Sequence, residues 1–461
     1  MLRFSKFESQ NVFIMKILPT KLLLVIFTFQ FLVSCNSDND NYEDIANNIE
    51  LESRLIELYG SKTELIQPLE NDLSAIPNDI NNPLTEAKVA LGKLLYHETS
   101  IATNANREDG MYTYSCASCH HADAGFQSGI RQGIGEGGMG FGAHGEGRIK
   151  NPMYAEADLD LQPIRSPSIL NVAYQEVMLW NGQFGGSGMN LGTEAQWTVG
   201  TPKEVNILGF EGVEIQAIAG LDVHRLKIET SDIINSSYKD LFDSAFPNVV
   251  ESERYTKLNA GLAIAAYERT LLPNQSPFQK WLRGDENAMG QQEIEGAKLF
   301  FDKGKCFTCH SGPGLNGMDF HALGMKDLEG PEVLTVIDVA TQKGRGGFTG
   351  NAEDDYKFKT PQLYNLKDVQ FFGHGGSLQT IKDVVEYKNN AIAENNNVPQ
   401  NKISNLFEPL GLTESEIDQL TVFLEVSLYD DNLQRYVPTS LPSGNCFPNA
   451  DTTSSADLGC N

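Results

Sequence analysis

Basic residues are scarce in this sequence. Its 461 residues include 35 Lys and Arg against 61 Asp and Glu, a formal net charge of −26 at pH 7. Binding to phosphate backbones needs clustered Lys and Arg, so nucleic acid is excluded as a partner. The acidity suits a soluble exported protein, or one that docks a basic partner. Long apolar runs are also missing. The run from Leu22 to Val33 is broken by Thr28 and Gln30 and falls short of the ~20 residues that span a bilayer. No stretch gives a convincing series of alternating strands, which leaves a mainly helical reading. Disorder throughout is excluded by a composition of 40% hydrophobic and 21% charged residues.

Cysteine is rare enough that all 7 can be placed. Four of them form two C-x-x-C-H motifs, at Cys116/Cys119/His120 and Cys306/Cys309/His310. Cys446 and Cys460 enclose a short loop rich in Ser, Asp and Gly, and are predicted to form a disulfide. Cys35 stands alone behind the apolar run, which follows Lys16 and Lys21 and reads as the h-region of a signal peptide. Leu32-Val33-Ser34-Cys35 resembles a lipobox, which implies cleavage before Cys35 and a lipid anchor on it. The expected location is the periplasmic side of the outer membrane or the cell surface.

An internal duplication is legible. Leu91-Gly92-Lys93-Leu94-Leu95-Tyr96 leads into the first motif as Gly296-Ala297-Lys298-Leu299-Phe300-Phe301 leads into the second. Ser166-Pro167-Ser168-Ile169-Leu170-Asn171 recurs as Thr360-Pro361-Gln362-Leu363-Tyr364-Asn365. In the same register Trp180 pairs with His374 and Gly182 with Gly376. Helices are predicted over Leu258–Leu271, Gln291–Phe301 and, behind a Thr413-x-x-Glu416 capping box, Glu414–Leu428. Long loops with Gly and Pro lie between them, notably Gly133–Gly147. The expected fold is mainly α, with two cytochrome c-like haem domains in tandem. The predicted organisation is a signal peptide at 1–34, an acidic tether and lead-in at 35–80, one haem domain at 81–280, a second at 281–440, and a disulfide-closed tail at 441–461.

Cysteines at i and i+3 present two thiols to the vinyl groups of one porphyrin, and the adjacent histidine reaches its iron. Structural zinc would need further Cys or His ligands close by in each half. Two copies inside a repeated unit therefore predict two covalent haem c groups, with His120 and His310 as proximal ligands. His121 is expected at the surface.

The segments Ser115–His120, Arg165–Ser168, Leu179–Gly182, Cys306–His310, Phe358–Pro361, His374–Ser377 and Leu433–Pro438 resemble, in that order, the bacterial di-haem cytochrome c peroxidase and MauG superfamily, from about residue 80 to 440. The resemblance implies a peroxidatic haem in the N-terminal half and an electron-delivering haem in the C-terminal half. It matches Trp180 to the tryptophan between them, with interface packing as the alternative role. Glu136 stands at the position of the loop histidine that closes the resting iron in many members, and His144 lies eight residues on. An open or water-bound iron is the expectation. The family's distal glutamate lies near Glu214-Ile215-Gln216-Ala217, but the match fails at Leu226. His224 and Arg225, beside that position, are the acid/base candidates, with Glu214 as the alternative. The sixth-ligand position of the second haem falls on Lys388, with Tyr387 adjacent and Met318 and Met325 as further options. His374 is expected to pack near that haem.

The resemblance implies hydrogen peroxide as substrate, a small cytochrome or other electron donor, possible calcium between the domains, and room for a homodimer. The leading expectation is a peroxidase. A MauG-like oxidase acting on a protein, and a non-enzymatic electron-transfer lipoprotein, are the alternatives.

Overall fold

Helices carry the core, and two glycines let them approach. In the first half Glu86–His97, Gly212–Val223 and Lys257–Arg269 bury Leu91, Leu95, Ile215, Ile218, Ala263 and Ile264 together. A Cβ on Gly92 would lie 1.8 Å from the carbonyl oxygen of Ala263, and one on Gly261 would lie 2.5 Å from Ile218 Cγ1. Any side chain at either position would force the helices apart.

The computed structural model describes residues 37–460, so the signal-peptide and lipidation readings lie outside the described residues. The chain divides into a short unit, Met1–Glu43, and a second unit, Asp44–Asn461, which holds both main cores. The second core is built by Pro277–Leu282, Gln291–Phe301 and Glu414–Val422, the last continuing as a π-turn over Phe423–Ser427. Phe300 packs on Phe423 with ring centres 5.5 Å apart. Thr413 and Glu416 make the reciprocal capping box that the sequence predicted. Among the described residues, strand is confined to two short antiparallel pairs. Gly138 and Met139 face Lys150 and Ile149, and Phe320 and His321 face Lys359 and Phe358.

The duplication is visible in the backbone. Both haem motifs form a short 3₁₀ turn, at Cys116–Ser118 and Cys306–Thr308. Asn171 and Asn365 both adopt left-handed φ, at 61° and 55°. The bridge Met178–Phe184 recurs as Phe372–Leu378.

One end of the chain departs from expectation. The region read as tether and lead-in forms a helix, Ser37–Tyr59, whose Leu51 and Leu55 are buried in the second core. The acidity of residues 36–44 hides the i, i+4 apolar pair that follows. The tail, whose sequence offers little core of its own, docks on the first half. Cys446 and Cys460 are joined in a disulfide. Pro448 O accepts from Ser115 Oγ at 2.9 Å and from Ser118 Oγ at 3.3 Å. Asp457 accepts from Phe141 N and Gly142 N at 2.8 and 3.0 Å. Leu433 and Tyr436 also join the first core.

Candidate haem-binding sites

The second motif opens on a cavity of about 390 Å³ lined by Cys306, Cys309 and His310, within the size range of ligand pockets. Neither cysteine is in a disulfide, and the same holds for Cys116 and Cys119. His310 Nδ1 lies 3.2 Å from Leu315 O and 3.0 Å from Pro361 O. A proton held there by carbonyls leaves Nε2 as the ligating nitrogen. Loss of solvent and the nearby Lys388 push its pKa down to about 4, so the imidazole is neutral, the form that binds metal. At the first motif His120 Nδ1 faces the carbonyls of Phe126 and Pro167 without a completed hydrogen bond. Pro167 and Pro361 are equivalent in the duplication, so both histidines are set by the same backbone. Paired cysteines, a histidine oriented through Nδ1 and, at the second motif, a fitting cavity suit covalent haem.

One face of the helix Ile381–Asn390 lines the cavity, through Ile381, Val384, Val385 and Lys388. This is an i, i+3, i+4, i+7 stripe with lysine in the last place. Desolvation pushes the Lys388 pKa down to about 8. Tyr387 is turned elsewhere. Its hydroxyl donates to Leu323 O at 2.6 Å and its ring packs on Phe407. Met325 lines the cavity, whereas Met318 Sδ accepts from Glu176 N at 3.3 Å and is not among the lining residues. His321 also lines it, with Nε2 3.6 Å from Cys309 Sγ. His374 is buried, stacked on Phe358 at 3.7 Å, with Nε2 3.3 Å from Asp327.

Trp180 lines the same cavity and bridges the halves. Its indole N–H donates to Arg165 O at 2.8 Å, its carbonyl accepts from Lys359 N at 2.8 Å, and its ring meets His374 edge-on at 6.4 Å.

Around the first motif the candidates separate. His224 follows the helix Gly212–Val223, and its Nδ1 donates to Asp160 Oδ2 at 2.9 Å. Desolvation lowers its pKa, but the Asp160 contact outweighs this and the net shift is upward. Its charge is felt at His120, which desolvation and His224 together push down to about 4. Arg225 takes no part in this hydrogen bond. Its guanidinium donates to Glu136, to Asp158 O at 2.8 Å and to Leu159 O at 3.3 Å. The structure thus commits Arg225 to holding a loop. Glu214 is fully buried, with its two oxygens accepting from Arg269 Nε at 2.8 Å and Nη2 at 2.6 Å. Asn82 Nδ2 donates to Glu214 Oε1 at 3.2 Å. A carboxylate pinned this way joins two helices and has no freedom to carry protons.

The Gly133–Gly147 loop is not loose. Glu136, at the loop-histidine position, is 0% exposed and also accepts from Asn106 N and Arg107 N at 2.9 and 3.0 Å. Buried Arg148 donates to Ile134 O and Gly135 O. His144 is exposed, its backbone N–H held by Glu146 at 2.6 Å. His121, expected at the surface, is 4% exposed and packs edge-on against Phe141 at 4.9 Å. The loop closes over it, with Gly145 lacking room for a Cβ beside the His121 ring.

Sequence reasoning missed Asp160, which lies 64 residues from His224 with no motif to join them. It also gave no separate role to Arg165 and Lys359, although both sit inside the segments that carried the resemblance. Among the described residues no group of three or more His, Cys, Asp or Glu side chains converges as a metal centre.

Residues 86–287 match the family model described as di-haem cytochrome c peroxidase. The methylamine utilization protein MauG of Methylorubrum extorquens is 27% identical over 378 residues, covering 79% of this chain and 88% of its own. The cytochrome c551 peroxidase of Pseudomonas aeruginosa is 25% identical over 334 residues, covering 72% of this chain and 80% of its own. The cytochrome c peroxidase Ccp of Escherichia coli is 28% identical over 330 residues, which is 72% of this chain but 58% of that protein. A crystal structure of a MauG-like protein associated with microbial copper homeostasis shares the fold, with a TM-score of 0.54 at 22% identity, covering 77% of this chain and 94% of that one.

Proposed function

We propose, on the premise that this chain belongs to the bacterial di-haem cytochrome c peroxidase and MauG superfamily, that it reduces hydrogen peroxide to water with electrons from a small cytochrome. Each turnover takes up one peroxide, two electrons and two protons and releases two waters. When bound, the two haems supply the iron at which peroxide is reduced and the relay for the electrons. Cys116, Cys119 and His120 would hold the first, and Cys306, Cys309 and His310 the second.

The observation that carries this reading is the His224–Asp160 pair near His120. Asp160 orients the ring through Nδ1, and in the neutral ring Nε2 would take a proton from the inner peroxide oxygen and return it to the outer one. Arg225, through Glu136 and the carbonyls of Asp158 and Leu159, positions the loop beside them. Trp180 links the second cavity to the first half through Arg165. Trp180→Phe keeps an aromatic ring but removes the indole donor. It is expected to slow turnover with a reduced cytochrome several-fold while leaving the rate of the first peroxide step within twofold. Stopped-flow mixing and steady-state assays separate the two, and an equal loss in both would contradict the electron-route role.

We assign Lys388 as the residue that, with His310, would hold the second iron, because it and not Tyr387 lines the cavity. Replacement by methionine, Lys388→Met, exchanges a nitrogen donor for sulfur. The low-spin EPR signal of one haem, and its near-infrared charge-transfer band, are expected to shift. Unchanged spectra would move the assignment to His321 or Met325.

Glu136, at the position where the family resemblance implies a closing histidine, also favours a second reading, a MauG-like oxidase that uses peroxide to oxidise a protein side chain. Peroxide consumption would then depend on a protein substrate and not on a cytochrome donor.

A further inference from the structure

Two buried cations beside Trp180 form no ion pair with any carboxylate among the described residues. Arg165 is 2% exposed and Lys359 is 7% exposed, and both line the cavity of the second motif. Arg165 Nη2 donates to Gln127 Oε1 at 2.7 Å, while its Nη1 is buried without a hydrogen-bond partner. The other charge near this guanidinium is the like charge of Arg131. Lys359 Nζ donates to Gln175 Oε1 and, at 2.7 Å, to Val177 O. That leaves one of its three donors free. The nearby carboxylates that line the cavity are engaged elsewhere, Asp327 with His374 and Asn395, and Glu408 with Lys305. Burial pushes the Arg165 pKa down to about 9 and the Lys359 pKa down to about 7.

Burying an ammonium and a guanidinium without counter-charges is costly, and the cost is removed when an anion enters the same cavity. The two residues also occupy equivalent places in the duplication, each standing two positions before Pro167 or Pro361. They converge on one tryptophan, Arg165 through its carbonyl and Lys359 through its backbone N–H.

We propose that Arg165 and Lys359 form a carboxylate-binding site for the propionates of the haem carried at Cys306 and Cys309. The assignment rests on haem occupying that cavity. A guanidinium fork and an ammonium are the two side chains suited to a pair of carboxylates. Contributed by opposite halves, they hold the edge of one cofactor against Trp180. Positive charge there favours the reduced iron, so the pair also sets how readily the second haem accepts an electron.

The test uses the purified di-haem protein and a redox titration of the second haem's low-spin EPR signal. Lys359→Met and Arg165→Met are each expected to shift its one-electron equilibrium at least tenfold towards the oxidised state, about 59 mV. Lys359→Arg, which keeps the charge, is expected to restore most of the wild-type value. Mass spectrometry of each variant first counts the haems. Loss of haem from the wild-type second motif would refute the haem reading itself. Two haems with unshifted potentials in both methionine variants would overturn the propionate site. So would a wild-type potential that follows phosphate concentration at constant ionic strength, since a free anion would then be the occupant. If one methionine variant does not fold, the other and Lys359→Arg decide the question.

Discussion

Fully oxidised protein carrying the substitution His224→Ala is expected to react with hydrogen peroxide roughly 10²- to 10⁴-fold more slowly than the wild type. The wild type itself is expected to react on simple mixing, without a prior electron. Neither residue near the expected position of a closing ligand is free to serve. Glu136 occupies the loop position and is locked by Arg225 and two backbone N–H groups. His144 is exposed, on a turn held by Glu146. Peroxide admitted there would still need its proton moved, and the imidazole held by Asp160 is the group we propose for that step. Stopped-flow absorbance after mixing with peroxide measures the rate directly. A wild type that is inert until one electron is added would show that the loop rearranges to close the iron, with His144 the suspected ligand. A normal rate in His224→Ala would remove His224 from proton transfer.

Glu214→Ala is expected to lower stability by about 3–5 kcal/mol, the cost of leaving a buried charge without its partner. Arg269 is 0% exposed, and its bidentate contact with Glu214 ties Gly212–Val223 to Lys257–Arg269. After the substitution Glu211, at 2.9 Å from Nη2, would be the carboxylate left hydrogen-bonded to it among the described residues. Urea denaturation should show a lower midpoint with an unchanged slope. The peroxide rate per folded molecule should stay within twofold of the wild type. A rate loss as large as that of His224→Ala would instead return Glu214 to the proton-transfer step.

Local pattern carried much of this reading and stopped where partners are distant in sequence. The two C-x-x-C-H motifs, the capping box at Thr413 and the helix Gln291–Phe301 depend on short spacings, so they are legible before any fold is known. The duplication pointed to the equivalence of Trp180 and His374, which meet across the second cavity. The helix Ser37–Tyr59 was obscured because its apolar face follows a strongly acidic stretch. The contacts of Asp160 and Glu136 could not be read from sequence, because their partners His224 and Arg225 lie 64 and 89 residues away. Lys388 and Tyr387 are neighbours in sequence, and the turn of their helix separates them. A tail that reads as polar and loosely stapled gains its packing from Ser115, Ser118 and Phe141, residues of the first half.

The most direct test of the central claim is the stoichiometry of donor oxidation. Purified protein with two covalent haems, given a limiting amount of hydrogen peroxide and an excess of reduced small cytochrome, should oxidise two cytochromes for each peroxide consumed. Haem-loaded protein that leaves the cytochrome reduced while peroxide is present would contradict the peroxidase assignment.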